Sequence, residues 1–302
     1  MSRIFAVKLE ERGLLALNGP DLRDFLQGIV SNDVNRVSPN QSIWAAFLTP
    51  QGKYLYDFFI AQPAEDTFWM DVEAARRADL MKRLRMYKLR SKVEMADLSE
   101  AFEVHALYGE LPENLDLPTQ AGASLSYGDG ILMRDPRHPA AGLRLVAPAN
   151  QATQLLSSLN AKTGTREDYD SQRIDLGLPD GSRDMEAERA TLLENGFDEL
   201  GGVDWQKGCY MGQELTARTK YRGLVKKRLM PVEVEGSLPE IGTAVTLDGK
   251  QVGEVRSSAN GRALALLRLD IFKKEDNPLL EAGDAKLKPR QPDWANFWQD
   301  SR

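Results

Sequence analysis

Two blocks of short, strand-like segments constrain the fold of this chain more than any other feature. The first block reads Ile43–Leu48, Tyr54–Ala61 and Thr67–Val72, followed by a predicted helix over Glu73–Leu89. The second block reads Leu229–Val234, Thr243–Leu247, Gln251–Arg256 and Arg262–Leu269. Tight turns at Pro50-Gln51-Gly52-Lys53 and Asp248-Gly249 predict a hairpin in each block. The pattern indicates an α+β layer and, toward the C-terminus, a separate small β-barrel or sandwich.

The remaining segments complete the predicted organisation. A strand over Leu14–Leu17 leads to a helix that starts at Gly19-Pro20-Asp21, and a further strand starts at Lys92–Met95. Two more helices are predicted over Pro148–Leu159 and Glu167–Leu176. The aromatic residues of the tail are expected to dock it: Trp294, Phe297 and Trp298. We predict three domains: residues 1–42 plus 112–226, residues 43–111, and residues 229–302.

The numbers of cysteines and histidines and the net charge limit the kinds of site that this chain can form. One cysteine and two histidines allow no internal disulfide, and they fall short of the roughly four ligands that structural zinc or an iron–sulfur cluster needs. We therefore expect no metal held stably by this chain alone. A net charge of −6 disfavours direct nucleic-acid binding, and no apolar run reaches the roughly 20 residues of a membrane span. The start resembles neither a secretory signal nor a transit peptide, which predicts a cytoplasmic protein, or a mitochondrial matrix protein if a transit peptide has been removed.

The densest motif is Lys207-Gly208-Cys209-Tyr210-Met211-Gly212-Gln213-Glu214. Glycines on both sides permit unusual dihedral angles and close backbone approach, and a helix is predicted from Gln213 to about Tyr221. A thiol beside Lys207 and just before a helix N-terminus has two electrostatic reasons to ionise. The alternative is an inert cysteine buried at a tight turn.

The motif extends through Ala217-Arg218 to Tyr221-Arg222-Gly223, and in this form it resembles the YgfZ family. Those proteins are bacterial counterparts of a mitochondrial iron–sulfur assembly factor and are similar to the T-protein of the glycine cleavage system. The resemblance covers the whole chain, through segments at 25–28, 32–34, 47–53 and 173–179.

The resemblance implies an α+β fold of three domains, arranged as an aminomethyltransferase-like ring around a folate cavity. The inserted domain would be ferredoxin-like and the C-terminal domain a small β-barrel. It implies tetrahydrofolate or another reduced folate as cofactor, with Asp175 facing the pterin and Tyr169 stacking on it, although a salt bridge and plain packing are equally compatible with these two residues. Cys209 and Lys207 are the expected catalytic residues. The other expected folate contacts are Asn32, Gln213, Glu214 and Arg222.

Three functions stay open on this resemblance. The first is a folate-binding accessory factor in the maturation or repair of iron–sulfur proteins, which would support tRNA modification indirectly. Its partners would be iron–sulfur assembly or client proteins. The second is a folate-dependent aminomethyl or one-carbon transferase, which would make the chain an enzyme. The third is a non-catalytic adaptor that binds folate.

Overall fold

A computed structural model describes residues 4–111, 115–273 and 277–295. The chain divides into two compact units. The first unit comprises Met1–Leu48, Leu55–Arg166 and Gly201–Met211, and the second comprises Thr49–Tyr54, Glu167–Leu200 and Gly212–Arg302. The predicted division into three domains stays a prediction.

The first unit contains two antiparallel-rich sheets. Their strands, in chain order, are β1 (Ile4–Lys8), β2 (Arg12–Asn18), β3 (Ile43–Leu48), β4 (Tyr54–Ala64), β5 (Thr67–Glu73), β6 (Glu94–Asp97), β7 (Phe102–Gly109), β8 (Ser124–Tyr127), β9 (Gly130–Arg134), β10 (Leu143–Pro148) and β11 (Lys162–Thr163). One sheet has the order β3-β4-β5-β2-β6, and the other has the order β11-β1-β7-β10-β9-β8. The predicted hairpin, the third strand of the first block and the strand around Leu14–Leu17 are confirmed.

Three α-helices accompany these sheets: α1 (Leu22–Gln27), α2 (Arg77–Lys88) and α3 (Ala152–Ser158). Helix α1 begins after Pro20-Asp21 as predicted, and it buries Leu22, Phe25 and Leu26, whose spacing places them on one helical face. Helix α2 is shorter than the predicted Glu73–Leu89, because Ala74–Arg76 form a 3-10 turn before it.

The strands β7 to β10 were not predicted from the sequence. Strands β9 and β10 are buried along almost their whole length, so their sequences lack the alternation of a half-exposed strand. A continuous short apolar run fits a buried helix equally well, and periodicity alone does not distinguish the two.

The second unit contains the other α-helices and a closed barrel. The helices are α4 (Arg166–Asp175), α5 (Gly181–Asp184) and α6 (Gln213–Tyr221). The strands are β12 (Lys227–Glu235), β13 (Ala244–Leu247), β14 (Lys250–Ala259), β15 (Arg262–Arg268), β16 (Leu280–Ala282) and β17 (Ala285–Pro289). They close in the order β12-β15-β14-β13-β16-β17, which confirms the predicted C-terminal barrel.

The tail docks on this unit through Trp294. Its indole Nε1 donates a hydrogen bond of 2.7 Å to the Leu176 carbonyl, and its ring packs against the barrel core. Phe297 and Trp298, the other two predicted docking residues, lie outside the described residues. Over the described ranges, no helix is both long and apolar enough to cross a membrane.

Candidate functional site

Cys209 lies exposed on a loop of the first unit, residues 201–211, that is anchored to residues 28–32. The Ser31 hydroxyl donates to the Gly202 carbonyl at 2.6 Å and accepts from the Ala46 amide at 2.8 Å. The Met211 amide donates to the Gly28 carbonyl at 3.0 Å. The loop is therefore held at both ends while the thiol reaches solvent, which contradicts the alternative of a buried, inert cysteine.

Asn32 is a structural part of this anchor. Its Nδ2 donates to the carbonyls of Trp44 and Gly201, each at 2.7 Å, and its Oδ1 accepts from the Asp33 amide. Because an amide group has only two N–H donors, both are used by the protein itself. The side chain is almost completely buried. Its predicted contact with folate stays a prediction.

Lys207 also holds the loop. Its Nζ donates to the Val30 carbonyl at 2.7 Å and to the Asn32 carbonyl at 2.8 Å, and it lies 5.2 Å from the centre of the Tyr210 ring. Burial lowers the pKa of Lys207 to about 8, although Asp33 and Asp204 act in the opposite direction. Lys207 therefore positions the loop through its two carbonyl bonds, and its predicted catalytic role stays a prediction.

The two glycines of the motif differ. Gly212 has a φ of 80°, a left-handed conformation that favours glycine, and it caps the N-terminus of α6. Gly208 has no such backbone conformation, and an added Cβ atom would meet nothing within 4 Å. The conformational freedom of glycine is therefore used at Gly212 and not at Gly208.

The predicted folate residues of helix α4 lie in the second unit. Tyr169 is buried. Asp175 is partly exposed, and its Oδ1 accepts from Arg262 Nη1 at 2.5 Å and from Arg290 Nη1. Within the described chain, no hydrogen bond is made to Asp175 Oδ2. The salt-bridge alternative for Asp175 is thus present, and one oxygen stays open to a ligand.

The remaining predicted folate residues lie on or next to α6, also in the second unit. Gln213 and Glu214 form its first turn, and Arg222 is its C-terminal cap residue. Glu214 and Arg222 are exposed. Their contacts with folate stay predictions.

The sequence analysis missed a buried ionic network around Arg173. Its Nε donates to Asp170 at 2.6 Å, Nη1 donates to Asp184 Oδ2 at 2.7 Å, and Nη2 donates to Ser257 at 3.1 Å. Burial alone would lower the pKa of Arg173, but the neighbouring carboxylates Asp184, Asp180 and Asp170 raise it above its usual value. Asp184 Oδ1 is buried and has no hydrogen-bond partner among the residues that the structure describes. The sequence signal for this network, an arginine three residues after Asp170 on a polar helix, is weak.

A second missed network joins the two sheets of the first unit. Asp71 Oδ1 accepts from Arg12 Nε at 2.6 Å, and Asp71 Oδ2 accepts from Arg144 Nε at 2.9 Å. The Arg144 guanidinium lies 4.0 Å from the centre of the Phe59 ring. All these charged groups are paired and buried, so this network is structural.

The described residues contain no group of three or more histidine, cysteine, aspartate or glutamate side chains arranged to hold a metal ion. The chemical groups that the structure presents are an exposed thiol on a fixed loop, a lysine with a lowered pKa beside it in sequence, and a set of charged side chains around α4 and the barrel.

Two family models match this chain: the GCVT N-terminal domain over residues 8–115, and the CAF17 C-terminal beta-barrel domain over residues 226–297. A crystal structure of the glycine cleavage system aminomethyltransferase T from Bartonella henselae superposes with a TM-score of 0.78. It covers 97% of this chain and 87% of that one at 17% identity. These matches define the class of protein by its fold. It is an α+β aminomethyltransferase-like fold with a C-terminal six-stranded barrel.

The curated relatives show to which family within this fold class the chain belongs. The human protein named "Iron-sulfur cluster assembly factor IBA57, mitochondrial" is 33% identical over 95% of this chain and 84% of its own length. The mouse protein of the same name is 33% identical over 88% and 78%. The chain belongs to the IBA57 family of iron–sulfur cluster assembly factors. It spans only about half of the Neurospora crassa relative, which is 35% identical over 55% of its length.

Proposed function

We propose that this protein is a reduced-folate-binding accessory factor in the maturation or repair of iron–sulfur proteins, with Cys209 as its chemically active group. The observation that carries the proposal is the exposed thiol on a loop that the protein anchors at both ends. Because the chain has no second cysteine, this thiol is available for a cluster or for a partner protein. The names of the relatives support a role in cluster assembly.

Tetrahydrofolate or another reduced folate is the cofactor that we propose. The donor set fits such a ligand, because Asp175 Oδ2 can accept an N–H of the pterin while Oδ1 is held by two arginines. Tyr169 lies on the same helix. When bound, the folate would supply a one-carbon unit or a redox-active ring, and the residues of this chain would bind and orient it.

A direct test is complementation. A strain that lacks the gene is transformed with the wild-type chain, and the activities of several cluster-dependent enzymes are measured beside enzymes that need no cluster. We expect the chain to restore only the first group. Partners would then be the iron–sulfur assembly or client proteins, and any tRNA modification defect would recover as a consequence of restored clusters. Equal deficits in both groups after complementation would contradict the proposal.

The fold also favours a second candidate, a folate-dependent aminomethyltransferase, because the aminomethyltransferase from B. henselae matches nearly the whole chain. Addition of the purified chain to a glycine cleavage mixture that lacks its T-protein distinguishes the two. Restored glycine cleavage would identify the protein as an enzyme of that type. Folate binding without cleavage and without complementation would leave the adaptor alternative.

We propose the mitochondrial matrix as the cellular compartment. The curated relatives are named as mitochondrial proteins, which supports the matrix alternative and not the predicted cytoplasm. We also propose a relationship to the bacterial YgfZ proteins, which the resemblance of the motif around Cys209 supports.

A further inference from the structure

Helix α2 of the first unit packs one face on the core and leaves the opposite face exposed. Leu80 and Leu84 are buried in the core of this unit. Lys82 and Met86 lie two residues before and after Leu84, so roughly 200° of helical rotation separates each of them from it. Met86 is 58% exposed, and Leu89, directly after the helix, is 86% exposed. The α2 face is defined here by its exposed residues: Lys82, Arg85, Met86, Leu89 and Arg90.

Leu89 has a backbone conformation that is unfavourable for leucine. Its φ is 47°, in the left-handed region that favours glycine. Because its side chain is almost fully exposed, the strain is not offset by burial in the core. A glycine would end the helix at lower cost. The leucine therefore does not serve the stability of this helix end, and strained residues of this kind occur preferentially at functional positions.

The α2 face is also strongly basic. Between residues 76 and 92 the sequence carries eight lysines and arginines and one carboxylate, Asp79. Arg83 pairs with Asp79, and Arg77 pairs with Asp97. Among the residues that the structure describes, no carboxylate lies within salt-bridge distance of five others: Lys82, Arg85, Lys88, Arg90 and Lys92. This local excess of cations, in a chain with a net charge of −6, favours an acidic partner.

The combination of apolar and basic side chains favours a protein over other anionic partners. Large apolar residues surrounded by charged ones are the usual composition of a protein interface. A helix that lies on a membrane needs a broad apolar face, but α2 uses Leu80 and Leu84 for the core. Nucleic-acid phosphates require the cations and do not require an exposed leucine and methionine. A second copy in isologous contact would place this basic face against itself.

We infer that the α2 face is the docking surface for an acidic protein. Leu89 and Met86 insert into an apolar pocket of that partner, and Arg85 and Arg90 pair with carboxylates around the pocket. The inference rests on the proposed function for the kind of partner, which is an iron–sulfur assembly or client protein. Docking and thiol chemistry then use different residues, so each is removed without the other.

The first part of the test identifies the partner. The photo-cross-linking residue p-benzoylphenylalanine replaces Lys82 on the α2 face or, as a control, the exposed Lys250 of the barrel, in a strain that lacks the wild-type gene. The cross-linked peptides are identified by mass spectrometry. We expect position 82, and not position 250, to cross-link to an aspartate- and glutamate-rich segment of an assembly or client protein.

The second part measures binding of that purified protein to the full chain by calorimetry. Leu89→Gly should weaken binding about tenfold, as should Arg85→Glu combined with Arg90→Glu. Wild-type binding should weaken between about 50 and about 500 mM NaCl because it is partly ionic. The matched controls are Leu238→Gly and Lys250→Glu, both exposed on the second unit, and they should bind as the wild type does.

The melting temperature separates docking from a structural role of Leu89. Leu89→Gly removes the strained conformation and should raise the melting temperature by about 2 °C while it weakens binding. A fall in both quantities would overturn the inference, because the leucine would then be needed for folding.

The remaining outcomes distinguish failure of the docking surface from failure of the proposed function. Leu89→Gly protein that binds the partner and restores cluster-dependent enzymes as well as the wild type would overturn the docking surface alone. A wild-type chain that restores none of these enzymes would overturn the proposed function. The inference would also be overturned by the absence of a cross-link at position 82 or by a cross-link to a second copy of this chain. Binding of bulk tRNA, or of phosphatidylcholine–phosphatidylglycerol vesicles, that Leu89→Gly weakens tenfold would overturn it in favour of those partners.

Discussion

Asp71 and Asp184 are both buried aspartates paired with arginine, yet they differ in how many of their carboxylate oxygens accept hydrogen bonds. In the first unit, both oxygens of Asp71 accept hydrogen bonds, one from Arg12 and one from Arg144. In the second unit, Asp184 Oδ2 accepts from Arg173 and from the Asp180 amide, but Oδ1 accepts no hydrogen bond from any described residue. A buried polar group without a partner costs about 1–3 kcal/mol. The Asp71 network is therefore fully satisfied within the described chain, whereas the Asp184 network carries the cost of one unsatisfied oxygen.

The largest effect is expected at the complete network. Asp71→Asn removes the charge that neutralises two buried arginines, so it should lower the free energy of unfolding by about 3–5 kcal/mol. Urea unfolding followed by circular dichroism measures this loss. The exposed Glu100→Gln in the same unit is the control and should change stability by less than about 0.5 kcal/mol. A loss below 1 kcal/mol for Asp71→Asn would show that the network is not structural.

Asp184→Asn should have a smaller effect on stability, about 2 kcal/mol, because Arg173 keeps its bonds to Asp170 and Ser257. The same urea titration compares it with Asp71→Asn. Equal losses of stability in the two variants would mean that Asp184 is as fully hydrogen-bonded as Asp71, and the proposed difference between the two networks would be wrong.

Asp175 is intermediate between Asp71 and Asp184 in its hydrogen bonding. One of its oxygens is held by two arginines, and the other is open at a partly exposed position. Asp175→Ala should weaken the binding of a reduced folate by at least tenfold, or about 1.4 kcal/mol. Calorimetric titration of both proteins with tetrahydrofolate gives the ratio. Unchanged affinity would remove Asp175 from the folate site.

The pH dependence of stability tests whether burial perturbs the pKa of Lys207. Its pKa in the folded protein, about 8, lies below the ordinary value of 10.5, so the unfolded chain binds more protons between these two values. The stability of the wild-type protein should therefore rise with pH across this window relative to Lys207→Gln. Allowing for solvent screening, we expect a relative gain of about 1 kcal/mol between pH 7 and pH 9.5. Parallel pH curves for the two proteins would mean that burial does not perturb this lysine.

Local patterns in the sequence were sufficient for much of the fold and for little of the site. The alternation of β12 to β15 and the helical spacing around Phe25 are short-range signals, and both were predicted. Arg12 and Asp71 are 59 residues apart in the chain, and Lys207 and the Val30 carbonyl are 177 apart. Such contacts follow from the arrangement of the strands, so no local pattern reveals them. The motif identified Cys209 but did not indicate that Lys207 bonds to backbone carbonyls.

Cys209 is held in place by its loop without being part of a core, and the proposed function depends on its thiol more than on any other group. We expect Cys209→Ser to change the free energy of unfolding by less than about 0.5 kcal/mol, because the side chain is exposed and the loop keeps its anchors. The measurement is complementation of a deletion strain by wild-type and serine proteins at matched expression, read as the activity of cluster-dependent enzymes. We expect the serine protein to be present and folded but to restore little of this activity. Full restoration by the serine protein would contradict the proposed role of the Cys209 thiol.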